Sequence, residues 1–321
     1  MGRVIFAILL GVLFAGDTAV AAAPGALPVK NRVLKDQGAV YALEIAYPQT
    51  GDTRIDADIV TTVNRIAHSF KKEAIAAHDD QDPRYTLDVT YTVARNDARA
   101  FAVIFQDEWD FHGAHPNMEF VTANYLRGQG SNGSWRIYLP ELFDGSRGRA
   151  RISGFVTADL DKRLLGPDGP SEPDWIKRGA DAHWENFQAF VLLPDALEIE
   201  FPPYAVAAYA AGPQVSRVAL SKLADVMRAN PRTPVASFDC AAARSDNERA
   251  ICSDVALARL DRDLTETWSS QYRNENDPPK KVRLKTEQIA WLKKRDQSCN
   301  TGPRVPCLVA LYQARLAALD E

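Results

Sequence analysis

Cysteine is scarce in this chain of 321 residues: there are four, Cys240, Cys252, Cys299 and Cys307, and none earlier. Everything before Cys240 must therefore be held by buried apolar surface, whereas the short segment that follows can be stapled. Long apolar runs are scarce too. Beyond the amino terminus no run of 18 or more apolar residues occurs, which leaves no later transmembrane span. Motifs that announce a chemistry are missing: there is no H-E-x-x-H, no G-x-S-x-G elbow and no Walker loop. Strong charge of either sign is missing as well. Lys and Arg number 38 against 42 Asp and Glu, so no basic field marks a nucleic-acid binder. The small acidic excess lies early, net −5 over 24–234 against +1 over 235–321, and favours a cationic partner.

What is present begins with a secretory signal. Arg3 precedes an apolar run from Val4 to Phe14, too short to span a bilayer, and Ala19-Val20-Ala21 supplies the small residues at which such signals are cut. Residues 1–22 are expected to be removed. The mature chain is then expected to be periplasmic or secreted, with no membrane span left after cleavage and an oxidising setting in which cysteines pair.

The rest divides into an α+β domain over 36–229, a proline-rich linker over 230–236 and a helical domain over 237–321. After a polar lead-in, 40–47 alternates as a strand, and Thr53 with Asp56 opens a helix whose Ile59, Val63, Ile66 and Phe70 share one face. Strand patterns follow at 85–93, 100–111, 120–126, 135–138, 187–193, 197–201 and 215–220, with a helix at 152–164 and a short one from Ser221 to Met227. A long helix against a mostly antiparallel sheet results. Gly128-Gln129-Gly130-Ser131 falls between two strands and reads as a hairpin turn, not a phosphate cradle.

Two candidate chemistries arise in this domain. His112 and His115, three apart, could share a metal with Asp107, Glu108, Asp110 or Glu119, but Gly113 and Pro116 point to a turn, where imidazoles bond to backbone. Trp175, Trp184 and Phe187 could stack on sugar rings, although such residues more often pack a core. Tyr204 and Tyr209 follow Pro202-Pro203 and read as structural, their rings packed and their hydroxyls tying the loop. No cofactor is expected.

Pro231 and Pro234 end the first domain and hold the second apart as a separate unit. Ser245 and Glu248 form a capping box ahead of a short helix, and Ser253 or Asp254 starts the next. Leu284, Ile289, Trp291 and Leu292 mark the inward side of a third helix, and Leu308, Leu311, Tyr312, Leu316 and Leu319 that of a fourth, giving a small disulfide-tied all-α bundle. Four cysteines allow three pairings. The local pairs Cys240–Cys252 and Cys299–Cys307 close short loops at the two ends of the bundle and are favoured; a zinc site made of all four thiolates lacks the C-x-x-C spacing.

Two resemblances follow from longer strings. The run WDFHGAHPNMEFVTANY, then WRIYLPELF, then NFQAFVLLPDALEIEFPPYAVAAYAAGPQVSRVAL resembles exported α+β domains found in the outer half of the lysozyme-sensing anti-sigma factor RsiV and beside some peptidoglycan deacetylases. It covers about Tyr41 to Met227, and His112-Gly113-Ala114-His115 departs from it by an extra histidine. The strings SFDCAAARSDNERAICSDVALARLDRDL, EQIAWLKKRDQSCN and CLVALYQARLAAL resemble the LprI-type lysozyme-inhibitor domain over about Ser237 to Leu319. That resemblance implies a framework of the four cysteines with Trp291 and Arg295, the latter paired to Asp296. Together they imply an exported, non-enzymatic envelope protein that binds a lysozyme-like muramidase, with inhibition as the further expectation. Contact loops would be Asp110 to Asn117, Gly128 to Ser134 and Gly166 to Asp174, with His112, His115, Asn117, Gly130, Asn132 and Trp175 as partner-binding candidates. The alternative is a peptidoglycan-acting or carbohydrate-binding accessory protein using His112 and His115 with a metal.

Overall fold

A strand–helix–strand unit anchors the first module. In the computed structural model, which describes residues 24–78, 83–128, 133–166, 169–228, 236–275 and 277–320, β2 (Tyr41–Gln49) leads into helix α1 (Thr53–Ala77) and returns as β3 (Tyr85–Asn96). The helix carries the chain back to its starting end, so β2 and β3 pair parallel, Tyr41 opposite Tyr85. All other pairings in the sheet are antiparallel, in the order β1 (Lys30–Gln37), β2, β3, β4 (Ala100–Asp110), β5 (Asn117–Arg127) and β6 (Ser134–Ile137). The expected α+β layer is therefore present.

Two local expectations need correction here. Helix α1 is capped by Asp52, whose carboxylate accepts from the Arg54 and Ile55 amides at 3.0 and 3.2 Å. Asp56, expected to close a box with Thr53, instead folds back onto the Thr50 and Gly51 amides at 2.7 and 2.9 Å, fixing the turn that enters the helix. The polar lead-in is strand β1, which starts at Lys30, ahead of the expected boundary at residue 36. It is an edge strand with charged, largely exposed side chains, the composition that protects an edge from further pairing and that conceals a strand in sequence.

Helix α1 covers one face of the sheet, and a second sheet covers part of the other. Ile55, Ile59, Val63, Ile66 and Phe70 of α1 pack on Leu43, Val89, Phe101, Val103 and Phe105, each fully buried isoleucine contributing about 2 kcal/mol. On the other face, Ala102 meets Val191 and Ala196 of a second sheet, β7 (Phe190–Leu192), β8 (Ala196–Phe201) and β9 (Gln214–Ala219). The backbone of β7 is satisfied by side chains reaching across from β5. Asn124 donates to the Phe190 carbonyl at 2.7 Å and accepts from the Leu192 amide at 2.9 Å, while Thr122 accepts from the Phe190 amide at 3.1 Å. Asn124→Ala is expected to strand two buried backbone groups and cost about 2–4 kcal/mol, measured by urea denaturation.

Outside the second sheet lie the short α2 (Leu139–Leu142), α3 (Gly145–Leu164) and α4 (Pro173–Ala180). Ile152, Val156, Leu160 and Leu164 of α3 form the buried stripe, as their spacing predicts, but the helix starts seven residues before Ile152, at Gly145, where the sequence is polar. The helix expected from Ser221 to Met227, with Ser221 as its cap, is instead two 3-10 turns, Leu220–Lys222 and Ala224–Val226, neither with a side-chain cap. The loop expected to run to Asp174 ends at Pro173, which opens α4 from the first turn, where a missing amide costs nothing.

Two buried carboxyls burden this module. Asp107 is only 7% exposed and its Oδ1 has no hydrogen-bond partner; burial, then Glu119 directly opposite on β5, push it well above the ordinary carboxylate range. Burial, then the neighbouring Glu198, push Glu200 up to about 7. Both bind a proton more tightly folded than unfolded, so their stabilising contribution is complete below about pH 4 and is lost as pH rises through the folded values. Through Glu200, stability is expected to fall as pH rises from 4.5 to about 7, and Glu200→Gln to flatten that fall in urea titrations at successive pH values.

The second module is four helices: α5 (Asp246–Ser253), α6 (Val255–Asn274), α7 (Pro278–Gln297) and α8 (Arg304–Asp320). Ser245 and Glu248 make the expected capping box, and Asp254 caps α6 through the Ala256 and Leu257 amides at 2.9 and 3.0 Å. Disulfides join Cys240 to Cys252 and Cys299 to Cys307, with Cα separations of 5.8 and 5.7 Å. The inward side of α7 is the expected one only in part. Trp291 packs on the core as its place in the stripe predicts, but Ile289 and Leu292 are 46% and 37% exposed, and Gln288 and Arg295 turn inward in their place. The two modules, expected apart, also touch: the Tyr138 hydroxyl donates to Asp263 of α6 at 2.9 Å, and the guanidinium groups of Arg136 and Arg262 lie 5.4 and 5.9 Å from its ring centre. Residues 230–235 of the expected linker lie outside the described residues.

Candidate functional site

The centre of the helical module is polar. Arg295, 5% exposed, donates to the Tyr312 hydroxyl oxygen at 3.2 Å, and that hydroxyl donates to Asp261 at 2.6 Å. Arg295 also forms the expected ion pair with Asp296 at 2.7 Å, while the second oxygen of Asp261 accepts from the Ser237 amide at 2.7 Å. Burial, then the Asp261 charge, push the Tyr312 phenol far above its usual range, so it stays a donor. Trp291 closes the cluster edge-on against Tyr312, ring centres 5.1 Å apart. Asn247 adds a clamp: its amide donates to the Arg295 and Ser298 carbonyls at 2.7 and 2.8 Å and accepts from Arg304 at 2.6 Å, fixing the end of α7 next to Cys299. This cluster links α5, α6, α7 and α8 and faces inward. Its chemistry is that of a framework.

In the first module, two of the three expected contact loops converge on the segment after β8. The Ala208 amide donates to the Pro170 carbonyl at 3.1 Å, bringing in the loop before α4. His115 Nδ1 lies 2.9 Å from the Pro116 carbonyl and Nε2 lies 3.0 Å from the Tyr204 hydroxyl; the carbonyl only accepts, so Nδ1 carries the proton and Tyr204 donates to Nε2. The His115 ring stacks on Tyr209 at 3.6 Å, and the Tyr209 hydroxyl donates to the same Pro116 carbonyl at 2.9 Å. Trp175, at the start of α4, donates its indole N–H to the Tyr204 carbonyl at 2.8 Å.

His112 takes no part in this cluster. Asp110 accepts its amide at 2.6 Å, its backbone is left-handed at φ 57°, and its ring lies against Tyr85 with Nε2 3.2 Å from the Pro83 carbonyl. The two histidines thus turn to different partners and do not face one point, as the turn between them dictates. Among the described residues no group of three or more His, Cys, Asp or Glu is arranged to hold a metal.

Residues 240–319 match the family model described as "Lysozyme inhibitor LprI", and residues 141–221 match "Protein of unknown function (DUF3298)". The chain carries an LprI domain behind a DUF3298 domain. It is also 23% identical over 206 residues to the peptidoglycan-N-acetylmuramic acid deacetylase PdaC of Bacillus subtilis strain 168, covering 62% of this chain. The chain spans 42% of that protein's length. Two solved structures are similar to it. One is a DUF3298 family protein from Pseudomonas aeruginosa PAO1, with 12% identity and a TM-score of 0.45, covering 64% of this chain and 96% of that one. The other is a DUF3298 family member from Bacteroides fragilis, with 14% identity and a TM-score of 0.43, covering 65% and 97%.

The LprI match contains all four cysteines, Trp291, Arg295 and Tyr312, the residues that build the bundle. The DUF3298 match contains Trp175, Tyr204 and Tyr209 but not His115, which reaches the cluster from the six-stranded sheet. Of the partner-binding candidates, the structure brings His115 and Trp175 to one place, leaves Asn117 exposed at the start of β5, and separates His112. Gly130 and Asn132 lie outside the described residues. Tyr204 and Tyr209 tie the loop through their hydroxyls as their sequence setting implies, yet Tyr204 is 51% exposed. That exposure is not readable from a proline-flanked tyrosine.

Proposed function

We infer that this chain is an exported envelope protein that binds a lysozyme-type muramidase and restrains it without chemistry of its own. The match of residues 240–319 to the lysozyme-inhibitor family carries the reading. Three points support it. The bundle is closed by two disulfides, which belong to an oxidising compartment. No helix among the described residues is long and apolar enough to cross a membrane, and the signal peptide expected over 1–22 lies outside them. The acidic balance of the first module, net −5 over 24–234, would steer a cationic enzyme toward it. A turbidity assay on bacterial cell walls tests the inhibitory half: the chain is expected to slow hydrolysis by at least one of the c-, g- and i-type lysozymes. Unchanged rates with all three would remove it.

A second reading draws on the similarity to PdaC: a peptidoglycan-acting or peptidoglycan-holding accessory. Release of acetate from muropeptides by the purified chain would favour it over the inhibitor.

A further inference from the structure

Four rings from three separate stretches meet at one surface of the first module: Trp175, Tyr204, Tyr209 and His115. Their polar edges are satisfied internally. Trp175 donates to the Tyr204 carbonyl, Tyr204 to His115, and both His115 and Tyr209 to the Pro116 carbonyl. Ring face is what remains to be offered outward. Tyr204 is the one aromatic among the large apolar side chains exposed in the described residues, at 51%. Its plane lies 10° from that of Trp175, with ring centres 6.5 Å apart.

The backbone beneath Tyr204 makes this placement informative. Pro202 to Ala205 is a turn closed by the Ala205 amide on the Pro202 carbonyl at 3.1 Å, with proline second and a left-handed residue, Tyr204 at φ 69°, third. That third position ordinarily takes glycine or asparagine, because a Cβ is disfavoured there. A half-exposed ring recovers little by burial, so packing does not explain a tyrosine at this point. The neighbouring helix is shaped to receive the turn: a Cβ at Gly179 of α4 would run into the Ala205 carbonyl oxygen. An outlier held this firmly by its surroundings points to use of the residue it presents.

We propose that Trp175 and Tyr204 form a stacking platform for an extended β-linked oligosaccharide, with His115 and Tyr209 as the residues that hold it in position. The C–H face of a pyranose is apolar and meets the electron-rich face of an aromatic ring, while its equatorial hydroxyls point sideways to polar groups such as the exposed Asn117. Four rings fall well short of the roughly 800 Å² that a protein interface takes from each side, and suit the footprint of a short glycan. The platform belongs to the first module and stands whether or not the helical module binds a muramidase.

Titration of the full chain with soluble β-1,4-linked N-acetylglucosamine tetrasaccharide and with cellotetraose, followed by saturation-transfer NMR and calorimetry, tests it. Saturable binding of at least one is expected, weakened about tenfold or more by Trp175→Ala and by Tyr204→Gly. Tyr204→Gly relieves the left-handed strain but also removes the hydroxyl bond to His115, so its melting temperature is measured beside its affinity, and a variant that stays folded while losing affinity separates lost stacking from lost folding. Tyr204→Phe keeps the ring and is expected to keep binding. The proposal is overturned by absence of binding to both tetrasaccharides, or by unchanged affinity in Trp175→Ala and Tyr204→Gly. Loss of lysozyme binding in Tyr204→Gly without any glycan binding would also overturn it, and would assign the platform to a protein.

Discussion

Replacing Arg295 with alanine is expected to destabilise the helical module by about 3–5 kcal/mol, enough to unfold a bundle of this size at ordinary temperature. The size of the effect follows from what is left behind. Asp261 is 4% exposed and would lose the guanidinium 3.8 Å away, retaining a charge in a space closed by Tyr312 and Trp291. Tyr312 would still donate to Asp261 but would no longer receive the Arg295 proton, and Asp296 would lose its partner. Removing one member of a buried charged set is costly because the other stays buried, even where the intact set is close to neutral in free energy. Arg295→Lys keeps the charge but not the planar fork that spans Tyr312 and Asp296 together, and is expected to fall between alanine and the parent. Urea denaturation followed at the helical signal measures both; a midpoint for Arg295→Ala equal to the parent would show that the cluster does not hold the bundle.

The second large effect is expected from the disulfides. Cys240–Cys252 and Cys299–Cys307 close loops of 12 and 8 residues, each worth about 3 kcal/mol through restriction of the unfolded chain. A module of about 80 residues has little interior to offset that loss. Reduction with a thiol, or paired Cys→Ser replacements, is therefore expected to unfold the helical module while leaving the cysteine-free first module with an unchanged transition. The Cys299–Cys307 pair should matter to the Asn247 clamp as well, since Asn247 bonds the Ser298 carbonyl beside it. Two transitions that shift together on reduction would contradict the picture of one stapled and one unstapled module.

How much of this is legible in the sequence depends on whether a residue's role is set locally. The α1 stripe, the β3–β4–β5 meander, the Ser245 box and the helices of the bundle rest on periodicity and capping, and they stand where the patterns put them. Strand β1 is hidden because an exposed edge needs no apolar alternation. Helix α7 misleads for the opposite reason: its apolar Ile289 and Leu292 face solvent, while a glutamine and an arginine face the core, where Tyr312 and Asp261 satisfy the arginine. Asp52 displaces Thr53 as the cap because Asp56 is already committed to the preceding turn. The candidate site is legible only in pieces. His115 and Trp175 each stand out alone, but Tyr204, 89 residues beyond His115, joins them only after α4 and the β4–β5 loop are folded against one segment. His112 and His115, close in sequence, are parted by a left-handed turn that no spacing rule foresees.

The most direct test of muramidase binding is a calorimetric titration of the purified chain with lysozymes of the c, g and i types, at low salt and at about 0.15 M. Saturable binding to at least one, persisting at the higher salt and lost when the disulfides are reduced, is the predicted result. No heat of binding to any of the three at low salt, with both disulfides intact, would contradict it.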